Sequence, residues 1–196
     1  MATFFGDSDY RAYIDLMAEW CGKCGVEIWA YCLMPNHVHL NAVPESEDGF
    51  RRGIGEAHRR YNRMINFRQD WLCHLWQGRF ASFPMDESYL LAAVRYVEMN
   101  PVRARLVEDA FSWPWSSALA HLTGLDDKLV KVAPVLEMAG DWKLFLGSAT
   151  EEEMERIRHH ERSGRPLGSE RFVERLESTL ERLLKPGKPG PKGKGN

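Results

Sequence analysis

The chain has 196 residues, of which 44% are hydrophobic and 28% charged, with a formal net charge of -2 and four Cys. Those proportions describe a globular chain with a sizeable core, and they exclude a disordered protein and a disulfide-dense secreted scaffold. The apolar runs fall far short of the roughly 20 residues a bilayer requires, and the start Met-Ala-Thr-Phe-Phe-Gly-Asp lacks a basic signal region; a cytoplasmic protein with reduced cysteines and no membrane partner is expected.

Asp7 or Asp9 can cap a helix over about 10–24, where Tyr13, Leu16, Met17 and Trp20 recur at spacings of three and four, and Gly25 ends it. Residues 26–34, rich in β-branched and aromatic side chains, lead through Pro35-Asn36 into 37–43, which reads as a β-hairpin. A second helix is predicted over about 50–66, an extended segment over 75–83, and a third helix from Asp86 to Pro101. Beyond Phe111-Ser-Trp-Pro-Trp-Ser-Ser117 lie a mixed helical region and helices predicted at 150–162 and 169–184. The turn between those two, Gly164 to Ser169, could belong to a helix-turn-helix or to two packed amphipathic helices. Residues 185–196 contain only Lys, Pro, Gly and Asn, and a flexible basic tail is expected there.

The near-neutral total conceals opposed blocks: residues 1–50 carry -6, 51–105 carry +5, 106–164 carry -5 and 165–196 carry +4. All ten basic residues of the second block are Arg, whose planar fork binds phosphate bidentately, so a polyanion could dock there.

In a strand, residues two apart face one side, so His37 and His39 project together while Val38, Leu40 and Ala42 face the opposite way. Two converging imidazoles suit a metal ion; a pair of solvated strand histidines would show the same spacing. On the third helix Leu90, Val94, Val97 and Pro101 form an apolar stripe, and Tyr89, Tyr96, Asn100 and Arg103 fall on another line. Tyr96 then points away from its helix's core face beside Asn100, offering a phenol nucleophile and a neutral oxygen ligand, or simply an interface tyrosine. Tyr61 is the rival nucleophile. It shares helical spacing with Ile54, Ala57, His58 and Ile65 and is expected to pack inward. Cys21 and Cys24 have CxxC spacing without a second pair, so no zinc or redox site is assigned to them.

Met34-Pro-Asn-His-Val-His-Leu40 resembles the histidine-hydrophobe-histidine motif of the HUH endonucleases. Leu90 to Val107 together with Trp113-Pro-Trp-Ser-Ser117 resembles the REP-associated tyrosine transposases, which are single-tyrosine, IS200-like enzymes. The likeness spans about residues 4–120 with the motifs in family order. It implies an α+β fold, a ferredoxin-like antiparallel sheet with helices on one face and the site on the other, over residues 1–120. Residues 121–184 would be a helical extension. It also implies Tyr96 as nucleophile, with His37, His39 and Asn100 as ligands of Mg²⁺ or Mn²⁺, and hairpin-bearing single-stranded DNA as substrate. Arg51, Arg52, Arg59, Arg60, Arg63, Arg95, Arg103 and Arg105 are the candidates for tracking the DNA backbone, with exposed Trp as stacking platforms. Members of the family begin with a strand before the segment resembling Phe4 to Asp7, and three residues precede it here. An unpaired edge along His37 to Val43 is therefore expected, which a strand from upstream or a second copy, in a homodimer, could fill. A catalytically inactive DNA-binding remnant is the alternative function; a zinc-binding structural protein would need a further ligand near Cys32.

Overall fold

In the computed structural model, residues 2–148 and 150–185 are described. Nearly all of the expected basic tail lies outside the described residues.

The first helix, α1 (Asp7–Lys23), follows Gly6. Neither Asp7 nor Asp9 caps it through its side chain. Buried Asp9 instead accepts a hydrogen bond from the Phe5 N–H (2.9 Å) and is forked by the Arg68 guanidinium, tying the entry of α1 to a later helix. Gly25, at φ +60°, turns the chain out of the helix; there a Cβ would run into the Glu45 side chain.

The hairpin forms as expected: β1 (Val26–Met34) pairs antiparallel with β2 (His37–Pro44). Trp29 is the extra residue of a bulge between Ile28 and Ala30. By shifting parity once, the bulge keeps Ile28, Tyr31 and Leu33 opposite Ala42, Leu40 and Val38, all on one face. That face is covered by α1 and by α3 (Ile54–Gln69), which inserts Ile54, Ala57, Tyr61 and Ile65 into the first core cluster. A short α2 (Gly49–Arg52) precedes α3.

The opposite face presents Ala30, Cys32 and Met34, paired with Asn41, His39 and His37. Across it lies α4 (Glu87–Glu98), whose Leu90, Val94 and Val97 form the second cluster with those small strand residues. The mixed α+β class is borne out, with the sheet of the described residues consisting of two strands. The segment 75–83, read as extended, forms no strand: Leu75 N–H donates to Asn62 Oδ1 (2.9 Å) and Trp76 stacks on His58, so side chains of α3 hold this stretch rather than a neighbouring ladder.

The outer edge of β1 is closed by the later chain. Leu33 N–H donates to Trp115 O (2.8 Å), Ser117 N–H to Tyr31 O (3.0 Å) and Lys131 N–H to Ile28 O (2.8 Å). Trp113-Pro-Trp-Ser-Ser117 is thus an edge clamp, with the Trp113 indole donating to Leu33 O (3.1 Å). Among the described residues no strand pairs with the outer edge of β2.

A one-turn α5 (Asn100–Arg103) continues from α4, and α6 (Ala118–Thr123), α7 (Ala133–Leu136) and α8 (Trp142–Gly147) follow. The next helix, α9 (Glu151–Ser163), opens with a capping box in which Thr150 and Glu153 exchange hydrogen bonds (both 3.3 Å). It buries Met154 and Ile157 in the second cluster, beside Trp142 and Leu146. Helix α10 (Glu170–Leu180) starts from a Ser169 cap and buries no residue.

Candidate active site

His37 and His39 stand on the α4 side of the hairpin, as the period-two pattern requires. Their Nε2 atoms face each other at 3.0 Å. Nδ1 of His37 lies 2.6 Å from Asn36 Oδ1, and Nδ1 of His39 lies 3.0 Å from Glu161 Oε1. Both oxygens are acceptors, so each Nδ1 carries the ring hydrogen, and in neutral rings the two Nε2 atoms then oppose bare lone pairs. Such a pair is relieved by a cation between or beside them, a proton or a metal ion, or by a water that donates to it. Burial, reinforced by the neighbouring His39 and opposed by Glu161, lowers the His37 pKa from its ordinary value and so works against the proton.

Tyr96 comes to the same place from α4. Its ring meets His39 edge-on at 5.7 Å between centroids, and its hydroxyl donates to Glu161 Oε2 at 2.9 Å. The outward orientation expected of Tyr96 holds relative to its own helix's apolar stripe, but α9 lies over it and leaves it 5% exposed. Burial, then the charge and hydrogen bond of Glu161, raise the Tyr96 pKa against an opposing pull from Arg103. Arg103 lies on the ring, its guanidinium carbon 4.2 Å from the centroid. Glu161 itself is pushed up by burial, yet the hydrogen bonds from His39 and Tyr96 help to outweigh this, and its pKa lies below the usual carboxylate value.

Asn100 sits beside Tyr96 as the i+4 spacing demands, but its amide is engaged locally. Nδ2 donates to Tyr96 O (3.2 Å), and Oδ1 accepts from Arg103 Nη2 (2.9 Å). The carboxylate that reaches the histidines is Glu161, which the sequence reading did not single out. A signal existed: Glu161 continues the stripe of Met154 and Ile157 at spacings of three and four, so a charged residue occupies an inward position of α9. Among the described residues no three or more His, Cys, Asp or Glu side chains are grouped to hold a metal ion. The histidine pair could offer two imidazole nitrogens to a divalent cation, whose remaining positions would fall to water or phosphate oxygens.

The arginine block divides in space. Arg59, Arg60 and Arg63 are exposed on α3, and Arg51 and Arg52 on α2. Helix α3 covers the Val38–Leu40–Ala42 face, so the hairpin stands between its arginines and the histidines. Arg59 and Arg60 both bind Glu56, at 2.6 and 2.8 Å. Arg95 is not available to a DNA backbone. It is 9% exposed, donates to Ser148 O (3.0 Å) and Glu153 (3.1 Å), and covers the Phe145 ring, because the acidic start of α9 packs on α4. Arg103 remains beside Tyr96, and Arg105, two residues on, is exposed. Tyr61 is fully buried, its hydroxyl donating to Thr3 O (2.9 Å). All four cysteines are free.

Comparison with known proteins gives two findings. A family profile described as "Transposase IS200 like" matches residues 2–100, half of the chain. A Haemophilus influenzae protein named "Putative REP-associated tyrosine transposase" is 29% identical over 108 residues, which cover 50% of this chain and 61% of that protein. The chain therefore spans about three-fifths of that relative's length. No solved structure matches it. Among the described residues no helix is long and apolar enough to cross a membrane.

Proposed function

The chain belongs to the IS200-like transposase family, and from that premise we propose that it cleaves and rejoins single-stranded, hairpin-bearing DNA through a covalent bond to Tyr96. The observation that carries this reading is the meeting of the opposed Nε2 lone pairs of His37 and His39 with a phenol from another element, its ring 5.7 Å from His39.

Cleavage of a phosphodiester needs a nucleophile aligned with the leaving oxygen and positive charge on the phosphate. Tyr96 releases its proton to water as its oxygen attacks phosphorus, and the bond from phosphorus to the 3′ oxygen breaks. The departing 3′ oxygen takes up a proton, leaving a 5′-phosphotyrosine and a free 3′-OH. Rejoining reverses the step, so no nucleotide hydrolysis is required. Mg²⁺ or Mn²⁺ held by His37 and His39 would supply Lewis-acid polarisation of the scissile phosphate. Arg103, on the Tyr96 ring, opposes the rise in the phenol's pKa and supplies a guanidinium beside the reacting phosphate. Arg105 extends that positive charge along the strand.

Wild type, Tyr96→Phe and Tyr61→Phe are incubated with hairpin-bearing single-stranded oligonucleotides and Mg²⁺ or Mn²⁺, then run on a denaturing protein gel. The covalent adduct should form with wild type and Tyr61→Phe and vanish with Tyr96→Phe, whose gel-shift binding persists. An adduct retained by Tyr96→Phe refutes the assignment. Binding without an adduct in wild type would favour a non-catalytic DNA-binding module.

A further inference from the structure

The carboxylate of Glu161 touches two groups of the site at once, yet it comes from α9, more than fifty residues after the last family-matched residue. We infer that Glu161 is a positioning residue: it holds His39 in the Nδ1–H tautomer, so that Nε2 faces the cation site, and it aims the Tyr96 hydroxyl at the same place. This inference rests on the reading of the histidine pair as a metal site.

The geometry divides the work between the two carboxylate oxygens. Oε1 stands 3.0 Å from His39 Nδ1 and Oε2 accepts from Tyr96 Oη at 2.9 Å, so one planar group fixes the relative placement of strand β2 and helix α4. An imidazole whose Nδ1–H is held by an oxygen has its lone pair on Nε2 and its ring plane fixed, which raises its quality as a ligand. Asn36 Oδ1 does the same for His37 at 2.6 Å. The two acceptors differ in origin. Asn36 belongs to the hairpin turn itself, whereas Glu161 arrives only when α9 docks on α4 through Met154 and Ile157. The helical extension is therefore part of the site: without α9, His39 and Tyr96 lose the group that orients them both. The Glu161 side chain is 37% exposed, so replacing it does not open the core.

The test uses the full chain as wild type, Glu161→Gln and Glu161→Ala, all good helix formers at this position. Histidine tautomers are read in the metal-free ¹⁵N-labelled protein by long-range ¹H–¹⁵N correlation, and Mn²⁺ affinity by electron paramagnetic resonance titration. Wild type and the Gln variant, which keeps an acceptor oxygen, should show His39 as the Nδ1–H tautomer. The Ala variant should lose that preference and bind Mn²⁺ about 10- to 100-fold more weakly, with Gln close to wild type. An Ala variant with unchanged tautomer and Mn²⁺ affinity overturns the inference, as does a wild type that binds no Mn²⁺. So does an Ala variant that binds Mn²⁺ more tightly or gives more DNA adduct, which would make the carboxylate a plug. A wild type with the expected tautomer and Mn²⁺ affinity but no adduct would refute DNA cleavage and leave the inference standing.

Discussion

Replacing Glu98 by Ala should be among the costliest single changes in the chain. Glu98 is wholly buried on α4, two residues beyond Tyr96, and its oxygens accept from Ser117 Oγ (2.5 Å), His121 Nδ1 (2.6 Å) and Trp142 Nε1 (3.1 Å). One carboxylate thereby joins α4 to α6, α8 and the clamp on β1. In the Ala variant the Ser117 hydroxyl can turn to Tyr31 O, 3.3 Å away, but the imidazole and indole N–H groups have no such recourse. Two stranded donors at about 1–3 kcal/mol each give a loss of roughly 2–6 kcal/mol, in line with about 3–5 kcal/mol for breaking a buried charged pair. For a chain of this size about 2–4 °C per kcal/mol makes that a fall in Tm of roughly 4–24 °C by calorimetry. Adding His121→Phe removes one of the stranded donors and keeps the ring stacked on Trp142, at present 4.4 Å between centroids, so the double variant should recover part of the loss. A Glu98→Ala protein melting within about 2 °C of wild type would refute the claim that this network ties the helices to the sheet.

Burial lowers the His58 pKa from 6.5 to about 4. Below pH 6.5 the unfolded chain gains a proton there that the folded chain refuses until about pH 4, so this group's stability is present above that window and is lost as the pH falls. The loss should reach about 2 kcal/mol by pH 5. Melting curves of wild type and His58→Gln should converge on acidification, and parallel curves would contradict the assignment. His37→Ala and His39→Ala should each abolish Mn²⁺ binding by electron paramagnetic resonance, while Asn100→Ala, whose oxygen serves Arg103, should weaken it less; equal losses would place Asn100 among the ligands. Arg105→Ala should lower the salt dependence of single-stranded DNA binding by about 0.7 in log–log slope, the value for one phosphate contact, whereas Arg95→Ala should leave the slope unchanged and lower Tm. A slope change at Arg95 would show that the α9 cover opens in solution.

The hairpin and its two faces were legible because strand periodicity is local. Once 37–43 is a strand, His37 and His39 must share a side and Val38, Leu40 and Ala42 the other, and the register bears this out. The bulge at Trp29 was not legible, since it depends on two strands meeting with Ile28 and Ala30 both in step. Tyr96 was placed on the correct line of its helix, but a helical wheel says nothing of what covers that line. The cover comes from α9, some sixty residues later, and arrives through Met154 and Ile157. Asn100 shows the same gap: helical spacing set it beside Tyr96, and only the fold shows its oxygen taken by Arg103.

Charge counted along the chain misled in a related way, and the reason bears on how the site works. The block 51–105 carries +5 and the block 106–164 carries -5, and folding lays part of the second directly on the first. Glu153 neutralises Arg95 at 3.1 Å, and Glu161 enters the one place where His39, Tyr96 and Arg103 converge. A long-range pairing of opposed blocks therefore covers Arg95 and brings a carboxylate beside His39 and Tyr96. What remains beside Tyr96 is a compact arrangement: two imidazoles with inward lone pairs, one guanidinium on the phenol ring, and one carboxylate fixing the phenol and the nearer imidazole. The carboxylate would repel a bare phosphate; a divalent cation on the histidines would offset that repulsion. On the proposed reading the site would favour a phosphate accompanied by its metal over the phosphate alone, and that preference would follow from a residue the family-matched half of the chain does not contain.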